Sequence, residues 1–411
     1  MAEPFGPEGL QLDAARALIL EALEPLGNAE QVALHQALGR VAAETVEAGA
    51  AIPGFAASIM DGFAIADAEI PSPGQRWELV GYAGAGAPYS TSLKSGEAIR
   101  ILTGAPIPEG CSRVLPQELV ACCDNSLELL RPAGANPWIR QPDEEAAPGQ
   151  QLLAKGSRLG PADLGRLAGC GISTLHVQRQ PKIGLLISGD ELVEPGRPRS
   201  AGQIWESNST LLDALLLRLG YRVADRRIVG DDPNAMRISL IALAENCDVI
   251  VSSGGISAGD SDWIRPLVSE LGTLKFWKLF LKPGRPFAWG ELKGKPFFGL
   301  PGNPVAAAIT ALQLVWPALQ RLEGAEVQLL PRLVVRLADP LRRGPGRPEL
   351  ARARLRFDAD GSAIAELAGS QASSRIGSLQ GADLLLEIPA EAGNLDPGTK
   401  LWAQLLRLPV F

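Results

Sequence analysis

Ser252-Ser253-Gly254-Gly255-Ile256-Ser257-Ala258-Gly259-Asp260-Ser261-Asp262 is the stretch of this chain best equipped for chemistry. It follows Asp248-Val249-Ile250-Val251, which reads as a buried strand. Glycines let backbone amides come close to an anion, so Ser252, Gly254, Gly255, Ser257 and Gly259 are candidate ligand contacts. Two punctuated stretches come next: 276–286, with Lys278 and Lys282, and Gly299-Leu300-Pro301-Gly302-Asn303-Pro304. Carboxylates beside such loops can hold a hard cation, and lysines neutralise oxyanions. The combination suits a phosphorylated ligand and a metal ion.

Gly255-Ile256-Ser257-Ala258-Gly259 also fits the G-x-S-x-G nucleophile elbow. That hydrolase chemistry needs a histidine base, normally after the serine. The two histidines, His35 and His176, both precede it, which argues against a hydrolase.

Three acids fall just after expected strand ends: Glu191 in Ser188-Gly189-Asp190-Glu191-Leu192, Asp231, and Asp262. Ligands of open α/β sheets collect at that edge. Acids gathered there repel one another unless a cation sits among them, and Mg²⁺ is the natural candidate. Helix capping by Asp231 and Asp262 is the plainer alternative. Lys278 and Lys282 are expected on one face of one strand, about 13 Å apart, able to serve two oxyanion groups or to guard a sheet edge. Pro301, Gly302 and Asn303 open a helix, whose N-terminus can bind an anion, although a structural turn would read the same. Asp61, in Ser58-Ile59-Met60-Asp61-Gly62-Phe63-Ala64, and Thr103, in 100–106, lie far away in sequence and fit a plain turn equally well. Trp263, Trp277 and Trp289 are expected in the core.

These residues need elements to position them. From 181 the chain alternates strand and helix: 183–188, a helix capped by Ser207 or Asn208, 221–229, a helix 233–246, 248–251, a helix around Ile264, Leu267, Val268 and Leu271, strands near 275–281, 286–290 and 296–299, and a long helix from Pro304. That pattern predicts a doubly wound open parallel sheet covered on both faces. Residues 9–50 read as largely helical, 51–140 as a small β domain of barrel or sandwich type, and 161–168 as a helix capped by Gly160. Residues 327–411 return to β. The predicted organisation is therefore multidomain α/β plus β. An elongated N-terminal domain (1–50 and 141–180) carries the inserted β domain (51–140), followed by the α/β domain (181–326) and a C-terminal β domain (327–411).

Composition bounds the rest. The 411 residues carry a net charge of −7, which disfavours nucleic acid as a partner. Five cysteines without C-x-x-C spacing argue against a zinc site or disulfide framework. No signal peptide or membrane span is expected, so the expected location is the cytoplasm.

Taken in order, segments 58–64, 102–106, 188–192, 230–233, 252–262, 276–286 and 299–304 resemble the molybdopterin molybdenumtransferase family, which includes the E domain of gephyrin. The resemblance implies insertion of molybdate into adenylylated molybdopterin, with Mg²⁺ and release of AMP. It implies a homodimer with a shared active site, and a molybdopterin adenylyltransferase as upstream partner. By motif match, Glu191 and Asp231 support metal and phosphate handling, Asp262 acts in the pterin or metal site, Lys278 and Lys282 hold molybdate or the terminal phosphate, and Asp61 and Thr103 come from the partner subunit. Arg352 and Ser373 match as ligand contacts in the C-terminal domain. Ala57 stands where the family usually has asparagine, and 141–145 replaces a more basic, glycine-containing stretch. The alternatives are a molybdopterin adenylyltransferase, disfavoured by the extra domains, and a non-catalytic scaffold.

Overall fold

The computed structural model describes residues 9–256 and 262–407. Ser257 and Gly259, singled out in the glycine loop, lie outside the described residues.

A six-stranded sheet organises the centre. Its elements are β1 (Ile183–Ser188), α1 (Asn208–Arg218), β2 (Val223–Val229), α2 (Pro233–Asn246), β3 (Val249–Ser253), α3 (Ile264–Leu271), β4 (Gly272–Trp277), β5 (Ala288–Leu292), β6 (Lys295–Leu300) and α4 (Pro304–Thr310). The strand order is β2-β1-β3-β6-β5-β4. The first four of these strands are parallel, whereas β5 and β4 add antiparallel at the edge, so the sheet is mixed rather than wholly parallel. Alternation along β1 explains the two covered faces. Leu185 and Ile187 join Leu212 and Leu216 of α1 and Val305 and Ile309 of α4, while Leu186 joins Met236, Leu240 and Leu243 of α2.

The run Pro304–Glu323 is long and apolar enough to cross a bilayer, but its most apolar 18-residue window is 94% buried inside the protein, which makes it a core helix. Its middle, Ala311–Val315, is π-helical, just before the break in hydrogen bonding that Pro317 imposes.

Residues 9–50 are less helical than their apolar spacing predicts. One helix, Leu12–Ala22, buries Ala15 and Ile19 against the α/β core. The rest contains the strand Ala29–Ala33, which pairs with Thr174–Gln178, and the short strand Val46–Glu47, which pairs with Gln151–Leu153. The helix Pro161–Gly169 forms as expected, with Gly160 as its N-cap and Asp163 accepting from the Gly160 amide. The small β unit is an open sheet in the order Arg113–Pro116, Gly62–Ile65, Glu97–Ile101, Arg76–Ala83, Ser126–Leu129, Val120–Cys123. It is not closed into a barrel. The closed barrel lies at the C-terminus: β7 (Arg332–Leu337), β8 (Glu349–Phe357), β9 (Ala363–Leu367), β10 (Leu384–Ile388) and β11 (Lys400–Leu405), in the order β7-β9-β8-β10-β11.

Candidate active site

A cavity of about 1060 Å³ opens at the C-terminal ends of β1, β2, β3 and β6 and is walled on its far side by loops of the C-terminal barrel. Strand ends point their last side chains and the first loop amides into that space, as open α/β sheets do.

Its acidic side is built from three loops. Glu191, Asp231 and Asp262 all line the cavity. Burial raises the Asp231 carboxyl above the ordinary carboxylate range, and the negative charges of Asp190, Glu191 and Asp262 push it further. Asp190, not singled out from the sequence, couples the first two loops: its Oδ1 accepts from the Asp231 amide at 2.8 Å, and its own amide donates to Asp231 Oδ2 at 3.4 Å. A side chain at Gly230 would collide with Asp190 Oδ1 at 2.7 Å. The capping alternative for Asp231 fails, because Asp232 is the N-cap of α2 and accepts from the amides of Asn234 and Ala235. These carboxylates are the donor type a hard cation takes. Among the described residues, no three His, Cys, Asp or Glu side chains come close enough to hold a metal by themselves.

The floor is the glycine loop and the Pro301-Gly302-Asn303 turn. Gly254 has φ +98°, and a Cβ there would lie 2.4 Å from the Ser188 carbonyl oxygen, so the strand ends approach each other only through glycine. Gly254, Gly255, Pro301, Gly302 and Asn303 line the cavity. Ser252 is buried behind the wall, and its Oγ has no hydrogen-bond partner; Ser188, on the wall, also has a buried unpartnered Oγ. Asn208 holds the floor together. Its Nδ2 donates to Ser253 Oγ at 3.0 Å and to the Gly302 carbonyl at 2.7 Å. From sequence it reads as a possible cap, but Ser207 is the cap residue and Asn208 is a cross-loop clamp.

The cationic side differs from expectation. β4 ends at Trp277, and Lys278 follows in the left-handed region at φ +79°. Lys278 and Lys282 therefore do not share a strand face. Lys282 lines the cavity from the loop between β4 and β5, together with Arg285. Lys278 is not on that wall; its Nζ stands 4.1 Å from the Trp277 ring centroid. Arg347, from the basic loop before β8, lines the cavity as well, and its Nη1 donates to the Leu281 carbonyl at 2.9 Å. Burial, followed by the nearby Arg285 charge, lowers the Arg347 pKa. Arg285 falls in the 276–286 stretch without a role read from it, and Arg347 was not singled out from the sequence.

Ser373 lines the cavity, and its Oγ accepts from Asn303 Nδ2 at 3.0 Å, joining the barrel loop to the helix N-terminus. Arg352 does not reach the cavity. It is 0% exposed, and its Nε donates to Ser378 Oγ at 3.1 Å while Nη2 reaches the Ser370 and Ala372 carbonyls, each at 3.4 Å. It shapes the loop that carries Ser373 instead of touching a ligand.

Asp61 and Thr103 lie in the small β unit, and neither lines this cavity. They form one motif: the Thr103 amide and Oγ1 each donate to Asp61 Oδ1 at 2.8 Å. The Thr103 amide, then its hydroxyl, holds the Asp61 carboxyl below its ordinary pKa. The two departures from the family pattern meet in space, since Ala57 pairs with Arg140, the residue before 141–145. Of the tryptophans, Trp289 is buried as expected, Trp277 is half-buried and Trp263 is exposed. No histidine lines the cavity; His176 Nδ1 pairs with Glu44 at 2.8 Å on the N-terminal strands.

A strand-end cavity with carboxylates on one side and cations on the other is a site for polyanionic ligands. Comparison with known proteins sharpens that class. Residues 10–171 match the MoeA N-terminal region (domain I and II), 184–321 a probable molybdopterin binding domain, and 334–406 the MoeA C-terminal region (domain IV). The molybdopterin molybdenumtransferase of Haemophilus influenzae is 33% identical over 95% of this chain and 96% of its own length. Molybdopterin molybdenumtransferase 2 of Mycobacterium tuberculosis is 31% identical over 90% of this chain and 93% of its own. The molybdopterin biosynthesis MoeA protein of Pyrococcus horikoshii superposes with a TM-score of 0.81 at 27% identity, covering 97% of this chain and 100% of that one. The protein is thus a transferase of molybdenum-cofactor biosynthesis. It belongs to the molybdopterin molybdenumtransferase family.

Proposed function

We propose that the chain inserts molybdenum from molybdate into adenylylated molybdopterin, with Mg²⁺, releasing AMP. The observation that carries this reading is the two-signed cavity. Molybdate and the ligand's pyrophosphate are both anions, and bringing them together requires positive charge held in place. Lys282, Arg285 and Arg347 supply it from one wall. The amides around Pro301-Gly302-Asn303, at the start of α4, orient a phosphate. Glu191, Asp231 and Asp262 would offer carboxylate ligands to Mg²⁺, with the substrate completing its shell, and the ion would supply further positive charge. The chemistry calls for no histidine base.

The same reading makes the protein a homodimer with shared sites. The Asp61 carboxylate, fixed in direction by Thr103, is exposed just before the strand Gly62–Ile65 and is offered to the cavity of a second copy. The adenylylated substrate calls for an adenylyltransferase upstream, and the cytoplasm is the proposed location. Asp262→Ala and Lys282→Ala are each expected to slow molybdate-dependent AMP release by at least about a hundredfold. Near-wild-type rates in both would sink the site assignment.

A further inference from the structure

We propose that Glu349 is a positioning residue for Lys282: a buried counter-charge, supplied by the C-terminal barrel, that fixes the ammonium on the cavity wall and restrains its grip on a dianion. The proposal rests on reading Lys282 as an oxyanion group.

Glu349 begins β8, in a different domain from the α/β sheet, and its side chain is 3% exposed while that of Lys282 is 48% exposed. Lys282 Nζ lies 3.1 Å from Glu349 Oε2. Arg343, itself nearly buried, approaches the same oxygen at 3.9 Å. The two backbones are locked in register, because the Lys282 amide donates to the Pro348 carbonyl at 2.9 Å and the Leu350 amide donates to the Lys282 carbonyl at 2.8 Å. This pairing is therefore built by main chain from two domains and is more than a chance meeting of long side chains. A carboxylate this deeply buried needs its cations. Lys282, the cation in direct contact, faces the ligand, and Arg347 on the same wall also feels the Glu349 charge. An anion entering the cavity must therefore share the Lys282 ammonium with Glu349.

The consequence separates this role from simple scaffolding. Glu349→Gln keeps the shape and removes the charge. The wall gains one unit of net positive charge, so a dianion should bind more tightly. The ammonium also loses the partner that aims it, so turnover should fall. A merely structural glutamate would instead give a loosened wall and weaker binding.

The test titrates sodium molybdate calorimetrically into the full-length protein with Mg²⁺, at low and moderate salt, alongside turnover. The variants are Glu349→Gln, Glu349→Asp, and Glu349→Gln combined with Lys282→Ala. Glu349→Gln is expected to lower the molybdate Kd about fivefold at low salt, less at moderate salt, and to cut kcat about tenfold. Glu349→Asp should fall between it and wild type, and carries the test if Gln does not fold. Most of the tightening should be lost in the double variant, leaving only what acts through Arg347. Folded Gln and Asp variants that bind molybdate no more tightly than wild type would overturn the role of Glu349 alone. Absence of saturable molybdate binding in the wild type would overturn the reading of the cavity, and this proposal with it.

Discussion

Asp231 is held by burial and among charges that disfavour its ionised form, and that is informative about what the site is for. Its carboxyl is raised from 3.8 by burial and by three neighbouring acids. A carboxyl raised in the fold lowers stability as pH climbs from its unfolded value through its folded one, and the penalty is complete above that. Asp231→Asn should therefore stabilise the metal-free protein at pH 7.5, by less than about 1 kcal/mol because solvent screens the repulsion. The same substitution should reduce turnover. Urea melts without divalent cations check the first effect; a less stable variant would mean the acids do not repel as described. The three acids were legible in sequence because each follows an expected strand end, whereas Lys282 was picked out on a strand it does not belong to. Asn208, Asp190 and Arg347 were not legible. Asn208 acts on Gly302, 94 residues away, and no local pattern records such a contact.

At the scale of elements, the apolar stripes of α2, α3 and the Pro304–Glu323 helix were readable because helix period and burial agree there. Residues 29–47 misled, because their alanine, valine and leucine spacing suits a helix while their pairing partners lie beyond residue 150. The stretch after β4 misled differently: alternation implied a continuous strand through both lysines, but Lys278 turns into the left-handed region and the chain leaves the sheet. That departure is what brings Lys282 to the cavity. The strand-end loops should act as one unit through Asn208. Asn208→Ala removes two hydrogen bonds from a buried side chain and should cost about 1–3 kcal/mol, while also weakening ligand binding. Chemical denaturation with unchanged stability would show that the clamp contributes nothing.

At the scale of the whole molecule, the described residues bury six hydrophobic clusters, and the cavity takes its walls from the α/β sheet and the C-terminal barrel. Asp61 and Thr103 sit on a third unit and do not line that cavity, so the proposed shared site requires a second copy to bring them to it. Light scattering should then give a mass near twice 43.4 kDa. Coexpressed Asp61→Asn and Lys282→Ala chains should regain about a quarter of wild-type activity, since half the dimers would hold one intact site of two. Activity no higher than that of the parents would argue that each subunit works alone. The most direct test of the central claim is a single-turnover reaction of the purified protein with adenylylated molybdopterin, molybdate and Mg²⁺, following AMP release and molybdenum on the pterin together. The expected result is stoichiometric AMP release that requires both molybdate and Mg²⁺ and coincides with molybdenum transfer. Tight binding of the adenylylated ligand without AMP release, or release indifferent to molybdate, would contradict it.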